Sequence, residues 1–127
     1  MKGLVKTILI IGLFVVVTGC GESQKPVDPA SLRGWEDRPT LSPAYFVGKQ
    51  ARSYRIAKEI PEIIDSLYCY CDCKKHFGHK SLLTCYVDLH ASRCQICMDE
   101  AIVAYKLYKE GKDVVEIRRI IDKQFAR

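Results

Sequence analysis

The sequence predicts a mostly α fold: a small helical domain around a Cys/His-rich loop, preceded by an N-terminal leader and a flexible tether. Three observations carry this. Beyond position 42, apolar residues recur three and four apart, as on one helix face, and no stretch alternates as a half-buried strand does. Helix-start residues recur at Ser42-Pro43, Ser92 and Asp113. Six of the seven cysteines and all three histidines lie between Cys69 and Cys97. The 127 residues suffice for one small domain, and 48% hydrophobic with 28% charged residues is not a disordered composition. This length excludes a large multi-site enzyme and a multi-span transporter. The charge of +5, from 20 basic and 15 acidic residues, forms no basic stripe, so no nucleic-acid partner is expected.

The leader comes first. Lys2 and Lys6 form a basic start without an acid, and Ile8 to Val17 is an apolar run. That run is shorter than the roughly 20 residues a membrane span needs. It has the length of a signal-peptide core. Val17-Thr18-Gly19-Cys20 resembles the bacterial lipobox, with an aliphatic residue, two small residues and then the cysteine. The resemblance implies a signal peptide over 1–19, cleavage before Cys20 and diacylglycerol on its thiol. Two or three acyl chains hold a protein firmly on a membrane. The expected location is therefore extracytoplasmic and lipid-anchored. In a Gram-negative cell it would be the outer membrane, since Gly21 rather than Asp follows the cysteine.

Residues 20–41 are expected to be a lipid-anchored tether. Pro26, Pro29 and Pro39 sit among Ser, Gly and mixed charges, without apolar periodicity. Trp35 is a candidate partner contact, or an aromatic that packs on the domain.

The domain is expected over 42–127. Ser42 as cap and Pro43 as first residue open a helix carrying Val47, Ala51, Tyr54 and Ala57. Pro61 interrupts it and starts a short helix to about Tyr68, burying Ile63, Ile64 and Leu67. Residues 69–80 read as loop, and Ser81 caps a turn over 82–88. Ser92 with Gln95 fits a capping box for a helix from 93 to about 110, with Ile102, Tyr105 and Tyr108 inward and Gly111 as the stop. Asp113 caps the last helix with Glu116 as box partner, and Val114, Ile117, Ile120 and Ile121 form its apolar stripe toward Phe125.

About 85 residues of helices make a modest core, and domains of this size often need a disulfide or metal staple. The spacing is Cys69-x-Cys71-x-Cys73-x2-His76-x2-His79-x5-Cys85-x4-His90-x3-Cys94-x2-Cys97. Thiolate and imidazole suit Cu(I) and Zn(II) and disfavour hard-oxygen metals. Cys94 and Cys97, three apart at a helix start, are expected to face the same way, with the helix N-terminus favouring their thiolates. The best ligands are expected to be Cys69, Cys71, Cys73, Cys94 and Cys97. Cys85, His79 and His90 come next, and His76 last because its neighbours suggest an exposed loop.

Nine candidate ligands exceed the four of one tetrahedral centre. Either the site is polynuclear, or some cysteines are disulfides, or some histidines only pack. Three disulfides are an ordinary framework for an exported chain. The three cysteines of C-x-C-x-C are not expected to pair among themselves without strain, which would leave each to pair with Cys85, Cys94 or Cys97. Metal is favoured over that scaffold, because disulfides do not need clustered histidines, and thiol redox catalysis comes third. The favoured reading is a non-enzymatic protein binding Cu(I) ahead of Zn(II), with a metal-donor or metal-acceptor protein as partner.

Sharper alternatives lack their residues. Met98 rather than His follows Cys97, against c-type haem attachment. A single C-x-x-C is too few for a zinc ribbon, and no strand–helix pattern around it suggests thioredoxin. Neither a glycine-rich phosphate loop nor a serine nucleophile elbow is present. Asp65, Asp72, Asp88, Asp99 and Glu100 are expected mostly as solvated or helix-start charges, with histidine support as the other role.

One resemblance covers the region. Ile60-Pro61-Glu62, Tyr68-Cys69-Tyr70-Cys71-Asp72-Cys73, Gly78-His79-Lys80-Ser81-Leu82 with Cys85, and His90-Ala91 with Cys94 and Cys97 are similar to the PCYCGC-motif family of bacterial lipoproteins, whose function is uncharacterised. The flanks Pro43-Ala44-Tyr45-Phe46 and Lys109-Glu110-Gly111-Lys112 extend the likeness over about 41–127. Tyr68 stands where the family name has Pro, and Asp72 where it has Gly. The resemblance implies lipoprotein status and a coherent Cys/His set, and no activity.

Overall fold

A computed structural model describes residues 27–126. The leader, its cleavage point and Cys20 lie outside the described residues. What is described is helical, with no strand among these residues. Five α-helices are α1 (Gly48–Glu59), α2 (Pro61–Asp65), α3 (Cys73–Phe77), α4 (Gln95–Lys109) and α5 (Val114–Phe125). Four short 3-10 turns, at Pro29–Leu32, Pro43–Tyr45, Leu83–Tyr86 and Ala91–Arg93, connect and flank them. No helix among the described residues is long and apolar enough to cross a membrane.

Ser42 and Pro43 do start a turn, with Ser42 Oγ accepting from Ala44 N, but it is a 3-10 turn that ends at Tyr45. α1 begins only at Gly48, behind Val47, so Val47 is exposed while Tyr54, Ile56 and Ala57 are buried. Pro61 has no N–H to continue α1 and opens α2 at its first position, where no N–H is needed. The helix expected from Ser92 starts later. Ser92 Oγ donates to Leu89 O, Gln95 reaches Asp99, and Cys94 is the cap.

α4 buries Cys97, Met98, Ala101, Ala104 and Leu107, a stripe with helical spacing. The inward residues expected on it are displaced by this register: Ile102 and Tyr105 are half-buried and Tyr108 is exposed. Gly111, at φ +84°, ends α4 as expected. Lys112 N donates to Leu107 O and Gly111 N to Tyr108 O, the paired bonds of a Schellman stop. Asp113 Oδ1 then accepts from Glu116 N at 2.9 Å and caps α5. Glu116 does not close the box, because its carboxylate pairs with Lys112. Ile117 and Ile121 are buried from the α5 stripe. α4 packs against both α1 and α5.

The segment expected as tether is docked from Asp28 onward. The fully buried Asp65 carboxylate is the anchor. Its Oδ2 accepts from Arg33 Nε at 2.7 Å and Trp35 N at 3.0 Å, and its Oδ1 from Glu36 N at 3.2 Å and Ser81 Oγ at 2.7 Å. Ser81 thus serves Asp65 rather than capping the next turn. Gly34 permits this approach: a Cβ there would lie 2.6 Å from Ser81 Cβ and 2.9 Å from Lys80 O. Glu36 follows, buried, accepting from Arg38 Nε and from Thr84 Oγ1, each at 2.8 Å. Leu41 N then donates to Tyr86 O. Composition missed this docking because polar groups, not an apolar stripe, hold the segment. Trp35 itself has its side chain exposed, with the Arg33 guanidinium 5.3 Å from its ring centroid.

Candidate metal centre

The cysteines enter the core from four places. Leu67 ends the turn after α2, and the following chain runs past α4 to deliver Cys69 and Cys71. Tyr70 fixes it there, its N donating to Glu100 Oε1 at 2.9 Å and its hydroxyl to Asp122 Oδ1 at 2.7 Å. Asp72, at φ +62° and ψ +19°, then turns the chain into α3, so that Cys73 faces inward as the first residue of that helix. The expected loop over 69–80 therefore contains a helical turn, which Gly78 ends at φ +67°. Cys85 comes from the 3-10 turn Leu83–Tyr86, and Cys97 from the first turn of α4. Tyr86 O–H donates to Cys97 O at 2.8 Å and ties these two together. His90 arrives from the bend before Ala91, held by its N–H to Asp88 Oδ1 at 2.7 Å.

The side chains converge. Cys69 Sγ lies 3.1 Å from Cys71 Sγ and 3.5 Å from those of Cys97 and Cys85. Cys71 and Cys97 sulfurs are 3.5 Å apart, and His90 Nε2 is 2.8 Å from Cys73 Sγ. Two four-donor sets result, each with all donor atoms within 4.8 Å of one another: Cys69, Cys73, Cys85 and Cys97, and Cys71, Cys73, Cys97 and His90. The sulfurs of Cys71 and Cys73 also stand at disulfide distance, contrary to the expectation that C-x-C-x-C does not pair internally. The left-handed Asp72 between them folds the two cysteines toward each other.

The remaining candidates lie around these sets. His79 is buried with Nδ1 3.2 Å from Cys85 Sγ and its ring 4.9 Å from that of His90, outside both sets. Burial, with His90 adding to it, holds its imidazole below the usual histidine range. Cys94 also stands outside both. It precedes the helix with extended backbone, and its sulfur accepts from Cys97 N at 3.5 Å. Hydrogen bonding from Cys97 lowers the Cys94 thiol to about 6. His76 is exposed on α3 and joins neither set.

Among the packed thiols, Cys69 is held well below its ordinary value by hydrogen bonds from Cys85 and Cys97, and both of these donors are pushed up. The cluster thus favours at least one thiolate, the form that binds metal. Glu100, expected as a surface or helix-start charge, is fully buried beside it. Burial first, and then the Cys69 charge, raise its carboxyl to about 9, and its Oε2 has no hydrogen-bond partner. Glu100 is thus a neutral acid that anchors the Cys69–Cys71 segment through Tyr70 N. Its position three residues after Cys97, one turn along α4, was the available signal.

An open cleft of about 730 Å³ leads to the cluster. His79, His90 and Cys94 line it, with the exposed Phe77 and Leu89 and two arginines, Arg38 and Arg93. Cys69, Cys73, Cys85 and Cys97 are thus buried, while His90 faces this solvent path and the half-buried Cys71 lines a second cleft beside Tyr68 and Lys75. Metal-ligand exchange needs such an entry.

No curated protein and no solved structure matches the chain. Residues 43–127 match the family described as "Protein of unknown function with PCYCGC motif", covering α1 to α5 and every residue of the cluster. With its Cys69-Tyr70-Cys71-Asp72-Cys73 run at the centre of that match, the chain belongs to the PCYCGC-motif family.

Proposed function

We propose that this chain is an extracytoplasmic lipoprotein, anchored through Cys20, that holds a soft metal ion, Cu(I) ahead of Zn(II), as a chaperone, sensor or scavenger. One observation carries the reading: five thiols and an imidazole, from segments spread over 29 residues, converge into two four-donor sets of the type thiophilic metals take. The cleft beside His90 supports exchange with a metal-donor or metal-acceptor protein. The role is binding rather than catalysis. The lipobox-like leader supports the anchor and location.

The test is elemental analysis and thiol counting on one sample of the full-length chain, extracted in detergent without oxygen. Bound Cu(I) or Zn(II) with the cluster thiols reduced is expected. No bound metal after loading with either ion, together with thiols that all pair once the sample is opened to air, would overturn the reading. One observation favours a second reading, a disulfide-stapled structural or partner-binding domain: Cys71 and Cys73 stand at disulfide distance. Mass mapping of the same sample for a Cys71–Cys73 bridge separates the two.

A further inference from the structure

We propose that the reduced cluster holds two metal ions side by side, bridged by the thiolates of Cys73 and Cys97. This rests on the metal-binding reading and concerns how many ions the site takes. The two donor sets are not separate sites, since both contain Cys73 and Cys97. Their union is six residues: Cys69, Cys71, Cys73, Cys85, His90 and Cys97. Two four-coordinate ions that share two bridging thiolates need that number of donors, with none left over. Cys69 and Cys85 are then terminal ligands of the inner ion. Cys71 and His90 are those of the outer one, which the cleft reaches through His90.

A single ion fits the same side chains poorly. Placed in the four-cysteine set, it leaves Cys71 Sγ 3.1 Å from one of its ligands and 3.5 Å from another, with His90 Nε2 2.8 Å from a third. Placed in the set with His90, it leaves Cys69 and Cys85 unliganded and buried. For Zn(II), charge points the same way. One Zn(II) among four buried thiolates carries a net −2 in the interior, where uncompensated charge is costly. Two Zn(II) among five thiolates and a neutral imidazole carry −1. The metal pair needs both Cys71 and Cys73 as thiolates, so a Cys71–Cys73 disulfide and the pair exclude each other.

The full-length chain, reduced and kept without oxygen in detergent, is loaded separately with Zn(II) and Cu(I) and weighed by native mass spectrometry. Two ions per chain at saturation with either metal is expected, and one per chain with both overturns the pair. Cys85→Ser removes a terminal ligand of the inner ion only, and His90→Ala one of the outer ion only. Each should lower the count from two to one, and an unchanged count overturns the assignment. His90 is half-buried at the cleft, so His90→Ala keeps the test available if Cys85→Ser does not fold. Co(II) gives a second readout. Thiolate-bridged cobalt ions couple magnetically, so the paramagnetic resonance signal per cobalt at saturation should fall severalfold below that of His90→Ala. Equal signals overturn the bridge. Failure to bind any of these ions defeats the metal reading itself, a result distinct from binding one.

Discussion

Asp72 occupies the left-handed region that glycine enters freely, at the position where the family name has Gly. Asp tolerates this region better than most residues, and its carboxylate meets Lys75 Nζ at 3.0 Å on the exposed side. Asp72→Gly relieves strain but adds freedom to the unfolded chain, two terms of about 1 kcal/mol that oppose each other. The expected net change is within about 0.5 kcal/mol. Asp72→Val has no such balance, since a β-branched side chain at this φ costs about 1–3 kcal/mol. Urea unfolding of the reduced chains should rank Val well below Asp and Gly, and equal midpoints for all three would contradict the turn. Glu36 gives a second residue-level prediction. The Arg38 guanidinium, with Thr84, lowers its carboxyl from 4.5 to about 2, against the cost of burial. A lowered acid stabilises fully above its unfolded value and loses that contribution as pH falls through its folded value. The contribution is about 2 kcal/mol once the solvent exposure of Arg38 is allowed for. It should fade between about pH 4.5 and pH 2. Glu36→Gln should lower the melting temperature at pH 6 and converge with the parent near pH 2; a constant gap over that range would remove Glu36 as the cause.

At the scale of elements, the segment over 28–41 is held by two buried carboxylates rather than by apolar burial, which makes it separable from the helices. Gly34→Ala tests this, because the added Cβ meets Ser81 Cβ at 2.6 Å and backbone at 2.9 Å. Such overpacking costs about 1–3 kcal/mol. Amide exchange should rise at 35–41 and around Ser81, while α4 and α5 keep their protection. A uniform rise across all helices would mean that the segment is integral to the core. The same contrast marks what the sequence made legible. α2, the Gly111 stop and the Asp113 cap were readable because Pro, Gly and Asp act locally. The docking of 28–41 was not, because Asp65 and Glu36 meet partners 16 to 48 residues away. The start of α4 was misplaced for a related reason: Ser92 and Gln95 had other partners, and Cys94 took the cap.

At the scale of the whole molecule, the candidate metal centre is continuous with the hydrophobic core. Cys69, Cys73, Cys85 and Cys97 are members of the same buried cluster as Tyr54, Ile64, Leu82, Ala101 and Ile117. Spacing along the chain marked which residues belong together. It did not give the division between Cys97 and Cys94, which depends on where α4 begins, nor the overlap of the two donor sets, which only the packed core defines. Because these sulfurs stand where a larger domain would carry more apolar side chains, bound metal should stabilise the fold itself and not one loop. A ligand at 1,000 times its dissociation constant adds about 4 kcal/mol. For a domain of about 100 residues that is roughly 15–30 °C of melting temperature. Stripping the metal with a chelator under reducing conditions should lower the melting temperature by that amount. It should also raise amide exchange in α1, α4 and α5 together, since all three contact the core that the sulfurs complete. If stripped and loaded chains melt within 2 °C of each other, the metal contributes nothing to the core. A loss of protection confined to 69–90 would instead make the cluster an appended site on a domain that is stable without it.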